Sequence, residues 1–543
     1  MAYMTRSAWI PVAVALLAFL PSIQAREGQE PESPRDPAPA EESAKAPVVP
    51  FESPVSSPPE PIDELVMDAL REQGIEPAHS CSDAVFVRRV FLDVIGTLPT
   101  PGETTAFLED RDPDKRSALI DALMERDEFA DTWSLKWGDL LRVKAEFPIN
   151  LWPNGVQVYH RWIHESLRGN KPYDRFAREL LTSSGSNFRV PPVNFYRAIQ
   201  GRGASAIAGV VALTFMGVRW EKWPAERRAG MEAFFSRVAF KGTAEWKEEI
   251  VFSNPAPAGA LDCVFPDGSR TVIPEGTDPR AVFADWLISP KNEWFARNIV
   301  NRIWSWLMGR GIVHEPDDLR PDNPPSIPSL LACLEGELVR GGYDLRHIYR
   351  LILNSRTYQQ SSIPRSDHPA VGALFACYPV RRLDAEVLAD AFGRICGFRE
   401  NYISMIPEPF TFIPAERRSI TLADGSITSP FLDLFGRPSR DTGLESERNN
   451  NPSDAQRLFL LNSSGFQQGL SKSPWLRRLV KASMKNNRRL IRILYLTILS
   501  RDPTAAELAA VEAGFTGKTE NKQEAAVDLA WALINTKEFQ YRH

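Results

Sequence analysis

The stretch Val211–Phe235, VALTFMGVRWEKWPAERRAGMEAFF, decides how the chain is read. An apolar helical run ends near Gly217, breaks into charge and tryptophan, and resumes towards Phe234 and Phe235. Upstream, AIQGRGASAIAGV is rich in small residues, so the helix leading into the stretch is expected to pack closely against a neighbour. The reading is of two helices joined by a short, tryptophan-packed turn over Trp220–Trp223.

The same helical periodicity extends in both directions. IDELVMDALREQG puts Ile62, Leu65, Val66, Ala69 and Leu70 on one stripe and Gly74 at its stop. Thr100, Pro101 and Glu103 read as a capping box with proline at the first helical position. Asp112 and Pro113 read as a second such start, into a segment where Leu119, Leu123, Trp133, Trp137 and Leu141 recur as core. Two helices follow over VYHRWIHESLRGNKPYDRFARELL, joined at Gly169–Pro172. His160 and His164 lie four apart, the spacing of zinc-binding helices. No glutamate follows His160 directly and no third ligand stands nearby, so the pair reads as ordinary exposed or capping histidines.

Downstream of the opening stretch, Pro, Gly and β-branched residues around Asp267 and Gly268 predict a small hairpin, and a domain boundary near Pro274–Arg280. Beyond it, Asn292 is placed to cap a helix carrying Phe295, Ile299, Ile303 and Trp306 and closed by Gly309. RRSITLA, residues 417–423, reads as a short strand, and Thr504 with Glu507 as a further capping box.

At 543 residues the chain exceeds what one core commonly holds. With 43% hydrophobic residues, 14 Trp and 29 Phe it has material for more than one. The net charge of -5 supplies no general drive towards nucleic acid or an anionic membrane. Residues 1–25 carry Arg6, an apolar run from Ala8 to Leu20 and a small-residue end at Ala25, the pattern of a secretory signal; an uncleaved anchor helix is the alternative. Residues 26–61, crowded with Pro, Glu and Ser, read as a disordered linker. Cys81, Cys263, Cys333, Cys377 and Cys396 never pair at CxxC spacing, so neither a zinc site nor a dense disulfide framework is expected.

The resulting fold class is mainly α: two helical domains, over 62–274 and 280–540, with a few short β-strands or hairpins. In this order the segments FVRRVFLDVIGTLPTPGETTAFLEDRDPDKRSALIDALMERDEFADTWSLKWGDLLR, PYDRFARELLTSSGSN and NFYRAI resemble the planctomycete cytochrome-associated PSCyt domain of unknown function. FADWLISPKNEWFARNIVNRIWSWLMGRGIVHEPDDL, DLRHIYRLILNSRTYQQSS, RRLDAEVLADAF and NPSDAQRLFLLNS resemble the planctomycete-specific domain that usually follows it. The resemblance implies an exported protein, periplasmic or at the cell surface. It also implies a CxxCH segment after GVR, the pattern of covalent haem attachment, and a C-x-C pair ahead of ER. Here Arg219 runs at once into Trp220, and Leu444 and Ser446 stand where the second pair belongs. The expectation is that no cofactor is held.

Three functions follow. The first is a non-catalytic exported scaffold or binding protein using an aromatic, basic surface of Arg219, Trp220, Trp223, Arg227 and Arg228. Its partner would be an extracytoplasmic polymer or an exported protein, not nucleic acid, with a membrane reached only through an uncleaved signal anchor. The second is an enzyme acting on a polymer such as a polysaccharide, with Asp384 and Glu386 as acid and base. The third is a redox or haem protein, against which the absent ligands count. Arg297, Asn301, Arg302, Arg381, Arg382, Asp384 and Glu386 are candidates either to line a cleft or to make ion pairs and caps. No nucleophile elbow, P-loop or dinucleotide fingerprint occurs.

Overall fold

A computed structural model describes residues 48–54, 58–255, 259–397, 400–414, 416–484, 486–515 and 519–543. The signal and most of the linker therefore lie outside the described residues. The chain is mainly helical, with three two-stranded antiparallel sheets and one of three strands. Among the described residues no helix is long and apolar enough to cross a membrane.

The helices start and stop where local chemistry sets them. Helix Pro101–Glu109 opens on the capping box of Thr100 and Glu103, and helix Ala505–Glu512 on that of Thr504 and Glu507. Helix Phe295–Met308 follows Asn292, whose Oδ1 accepts from the amides of Trp294 and Phe295 at 3.0 Å, and ends on Gly309 at φ +71°. Two readings are corrected. Asp112 does not cap a helix: it accepts from the Asp114 amide in a turn, and the helix runs over Lys115–Met124. Residues 419–421 form a 3-10 turn instead of a strand, because the Asp390 carboxylate takes the amides of Ser419 and Ile420 and, among the described residues, no strand pairs with them.

The hairpin at Asp267–Gly268 pairs Leu261–Val264 with Arg270–Ile273. A three-stranded sheet of Gly185–Ser186, Glu249–Ser253 and Val238–Gly242 precedes it, and its short strands carry too little alternation to declare themselves. The last part of the presumed linker is also seated: Glu52–Ser53 pairs with Ser80–Cys81, and Phe51 packs edge-on against His543.

Two apolar cores form. One runs from Ile62 to Tyr378, joined by Ile406 and Ala423, and so continues across 274–280, where the chain passes from hairpin to helix without a break in packing. At its centre Trp137 lies among Tyr173, Phe176 and Trp306, with ring centroids 5.0–6.2 Å apart. The other is built on Leu383–Phe539 and receives Leu92, Leu98 and Leu135 from the first half.

Charge fills the seam between them. Asp93 meets Arg381 at 3.2 Å and Arg542 at 3.0 Å, and Arg542 reaches on to Asp384 at 3.3 Å. Arg448 contacts both Glu386 and Asp139 at 2.7 Å, and Asp139 also receives Arg440 at 2.8 Å. Burial alone would raise the Asp384 carboxyl. Lys136, Arg542 and Arg448, with Asn450 donating, hold it well below the usual carboxylate range.

Candidate functional site

The opening stretch folds into one wall of a cleft. Helix Ala204–Val211 tightens into a π-helical turn over Ala212–Met216, and Gly217 at φ +64° reverses the chain. A 3-10 turn, Trp220–Lys222, then leads into helix Ala225–Ala233. The compact turn expected from the sequence is there, and Trp220 is its packing element, 5% exposed and set over Gly209. A Cβ at Gly209 would stand 2.4 Å from the Trp220 indole nitrogen and 2.9 Å from the ring. Gly209→Ala is therefore expected to cost about 1–3 kcal/mol by overpacking, read as a lowered urea midpoint, whereas a glycine kept only for helix flexibility would gain stability on the same change.

Beyond this turn, Trp223 and Trp294 flank the Arg227 guanidinium, which lies 4.0 Å from the first ring centroid and 5.7 Å from the second. Its Nε donates to the Pro266 carbonyl at 2.8 Å, which ties the helix to the hairpin tip. Burial pushes this guanidinium below its ordinary pKa, with Glu293 and Asp267 opposing. Across the gap stand Trp294, Arg297 and the 319–335 segment. The space between is about 1390 Å³, more than the roughly 300–1,000 Å³ that encloses a drug-sized ligand.

Half of the ions around the cleft are in ion pairs. Arg297 is held by Glu335 at 2.6 Å, and Lys222 and Arg320 reach Asp318 at 3.6 and 2.9 Å. Arg320 also meets Asp322 at 3.1 Å. Asp267 accepts from Ser269 and from the Trp286 indole at 2.9 Å. Burial would raise its carboxyl, but those donors hold it below the usual range. The side chains of Arg219, Glu226, Arg270 and Glu293 line the cleft and, among the described residues, make no hydrogen bond or ion pair.

The residues singled out from sequence separate into two groups. Arg219, Trp223 and Arg227 line the cleft, Trp220 lies beneath it, and Arg228 sits 6.0 Å from the Trp220 ring. Asn301, Arg302, Arg381, Arg382 and Asp384 do not line it; of the two readings open for them, burial selects ion pairs and backbone bonds. Asn301 exchanges two hydrogen bonds with Val313, at 3.0 and 2.9 Å. Arg302 pairs with buried Asp317 at 2.6 Å and donates to the Leu213 carbonyl. Arg381 donates to the Trp306 and Leu307 carbonyls, and Arg382 to Gln456 while lying over Phe435. Asp384 and Glu386, the acid and base of the enzyme reading, are both consumed by the charged seam.

The histidine pair is half-buried, not freely exposed. His164 approaches Asp131 at 3.2 Å, and burial, followed by Arg440, pushes His160 down to about 3. Among the described residues no group of three His, Cys, Asp or Glu side chains is placed to hold a metal. Asp317, paired to Arg302 beside the 212–217 turn, also accepts from the Glu445 amide at 2.7 Å and so ties the 444–446 segment to helix Phe295–Met308.

Two family models match, in order. "PSCyt2: Protein of unknown function (DUF1549)" covers residues 61–212, and "PSD1: Protein of unknown function (DUF1553)" covers residues 279–515. The chain carries a PSCyt2 match followed by a PSD1 match. No curated protein and no solved structure matches it. The PSCyt2 match ends at Ala212, the first residue of the π-helical turn, and the PSD1 match begins at Pro279. One wall of the cleft, Val218–Arg227 with the hairpin tip, thus lies between the two matches, and the other lies within PSD1. On this opposite wall the sequence singled out Arg297 but missed Trp294 and Glu293. Trp294 and Glu293 sit in the NEW triplet just before a helix, where the capping asparagine drew attention away from its neighbours.

Proposed function

We propose that this PSCyt2–PSD1 chain is a non-catalytic binding protein that acts after export and holds an extended partner in the cleft between residues 218–227 and 293–335. The observation that carries the reading is the Trp223–Arg227–Trp294 stack beside a wide space whose lining includes no His, Cys, Ser, Thr or Tyr. Preset aromatic faces lose little conformational entropy on binding. A lining without those side chains offers no hydroxyl or thiol nucleophile and no imidazole for proton transfer. The unpaired Glu226 and Glu293 favour one second reading, a hydrolase using two carboxylates.

A panel of soluble polysaccharides and unfolded polypeptides, titrated against the full chain, tests the proposal through tryptophan fluorescence and new reducing ends. The expected result is binding that is lost in the Trp223→Ala/Trp294→Ala double variant, with no reducing ends released. Absence of binding across the panel would overturn it. So would turnover that disappears in Glu226→Gln or Glu293→Gln, which would establish the hydrolase instead.

A further inference from the structure

The charge of the cleft cancels once Asp318, set behind its lining and paired to Lys222 and Arg320, is counted. Lys222, Arg297 and Arg320 are matched by Asp318, Asp322 and Glu335 through the contacts given above. Arg219, Arg227 and Arg270 remain against Glu226, Asp267 and Glu293. Such a cleft has no net field to gather a polyanion and none to gather a polycation. What it offers is short-range: unpaired guanidiniums that donate, unpaired carboxylates that accept, and indole faces beside them.

We infer that the cleft takes a neutral polysaccharide, several linked uncharged sugar rings lying along the wall from Arg219 to the hairpin tip; this rests on the binding reading above. Each sugar ring presents an apolar C–H face and a rim of hydroxyls. The face suits the rings of Trp223 and Trp294, and the rim can donate to Glu226 and Glu293 and accept from Arg219 and Arg270. A hydroxyl-rich chain meets both kinds of unpaired group at once, whereas an anionic chain would leave the carboxylates facing its own charge. The volume of about 1390 Å³ exceeds that of a single bound sugar and fits a run of them. An extended polypeptide would also find aromatic and proline surfaces here. Its backbone offers one N–H and one C=O per residue, fewer donors and acceptors than the several hydroxyls of each sugar ring, so it meets the four unpaired ions less fully.

The test compares soluble β-glucan, galactomannan, alginate and an unfolded polypeptide as ligands of the full chain. β-Glucan or galactomannan is expected to bind, with an affinity that changes less than about twofold between 0.05 and 0.5 M salt because no net charge is screened. Trp223→Ala is expected to weaken that binding at least about tenfold, the behaviour of an anchoring aromatic. Trp223→Phe is expected to retain most of it, and unchanged unfolding midpoints show both variants folded. Binding of alginate alone, with a steep salt dependence, overturns the neutral-polymer inference and leaves the binding reading standing. Binding of the polypeptide alone does the same, and binding of none of the four overturns both.

Discussion

Arg448→Ala is expected to lower the stability of the chain by about 3–5 kcal/mol, the cost of leaving buried charges without a partner. The side chain is 5% exposed, and its guanidinium lies 2.7 Å from both Glu386 and Asp139, which are 0% and 15% exposed. Truncation would strand the Glu386 carboxylate with only Arg437, at 3.4 Å, and Asp139 with only Arg440. Arg448→Lys is expected to recover a minor part of the loss, because one ammonium cannot span two carboxylates as the planar fork does. Urea unfolding of the full chain checks this. A loss below about 1 kcal/mol for Arg448→Ala would place the residue with ordinary surface ion pairs.

That seam explains which parts of the molecule were legible beforehand. Capping boxes at Thr100 and Thr504, the stop at Gly309 and the tryptophan core were readable because each is decided within four residues or by a helical period. Arg448 and Asp139 are 309 residues apart in sequence, and nothing local tells a charge bound for a buried seam from one bound for water. The strand expected at 417–423 fails for a similar reason. Its β-branched residues were visible, but the Asp390 carboxylate that takes its amides comes from another helix.

The cleft was half legible. Arg219, Trp223 and Arg227 stood out because charge and tryptophan interrupt an apolar run, a local signal. Trp294 and Glu293 answer them only once the chain has passed through the hairpin and returned. The family matches make the same division, since the wall that is visible in the sequence is the one lying between them.

The link from core to cleft rests on Arg302, and Arg302→Ala is expected to cost about 3–5 kcal/mol and to loosen the 212–219 segment. Arg302 and Asp317 are each 1% exposed and 2.6 Å apart. Arg302 Nη2 also donates to the Leu213 carbonyl at 3.1 Å, and its Nε to Asn298 Oδ1 at 3.1 Å. Asn298 in turn donates to the Thr214 carbonyl at 2.9 Å. Two consecutive carbonyls of the π-helical turn are thus held from helix Phe295–Met308, and Gly217 passes the constraint on by accepting from the Leu319 amide at 2.9 Å. Losing Arg302 leaves the buried Asp317 carboxylate without its countercharge, held only by the Glu445 amide, and the Leu213 carbonyl with the Gly217 amide alone. The turn should respond by local opening before the rest of the core does. Hydrogen exchange distinguishes this from general destabilisation: amides of Gly217 and Val218 are expected to speed up more than those of helix Asp127–Leu140 under the same conditions. Uniform acceleration across both helices would mean that Arg302 supports the core alone. In that case the position of Trp223 and Arg227 would have to be set by the hairpin contact at Pro266, and Arg302→Ala would leave ligand affinity at the cleft unchanged.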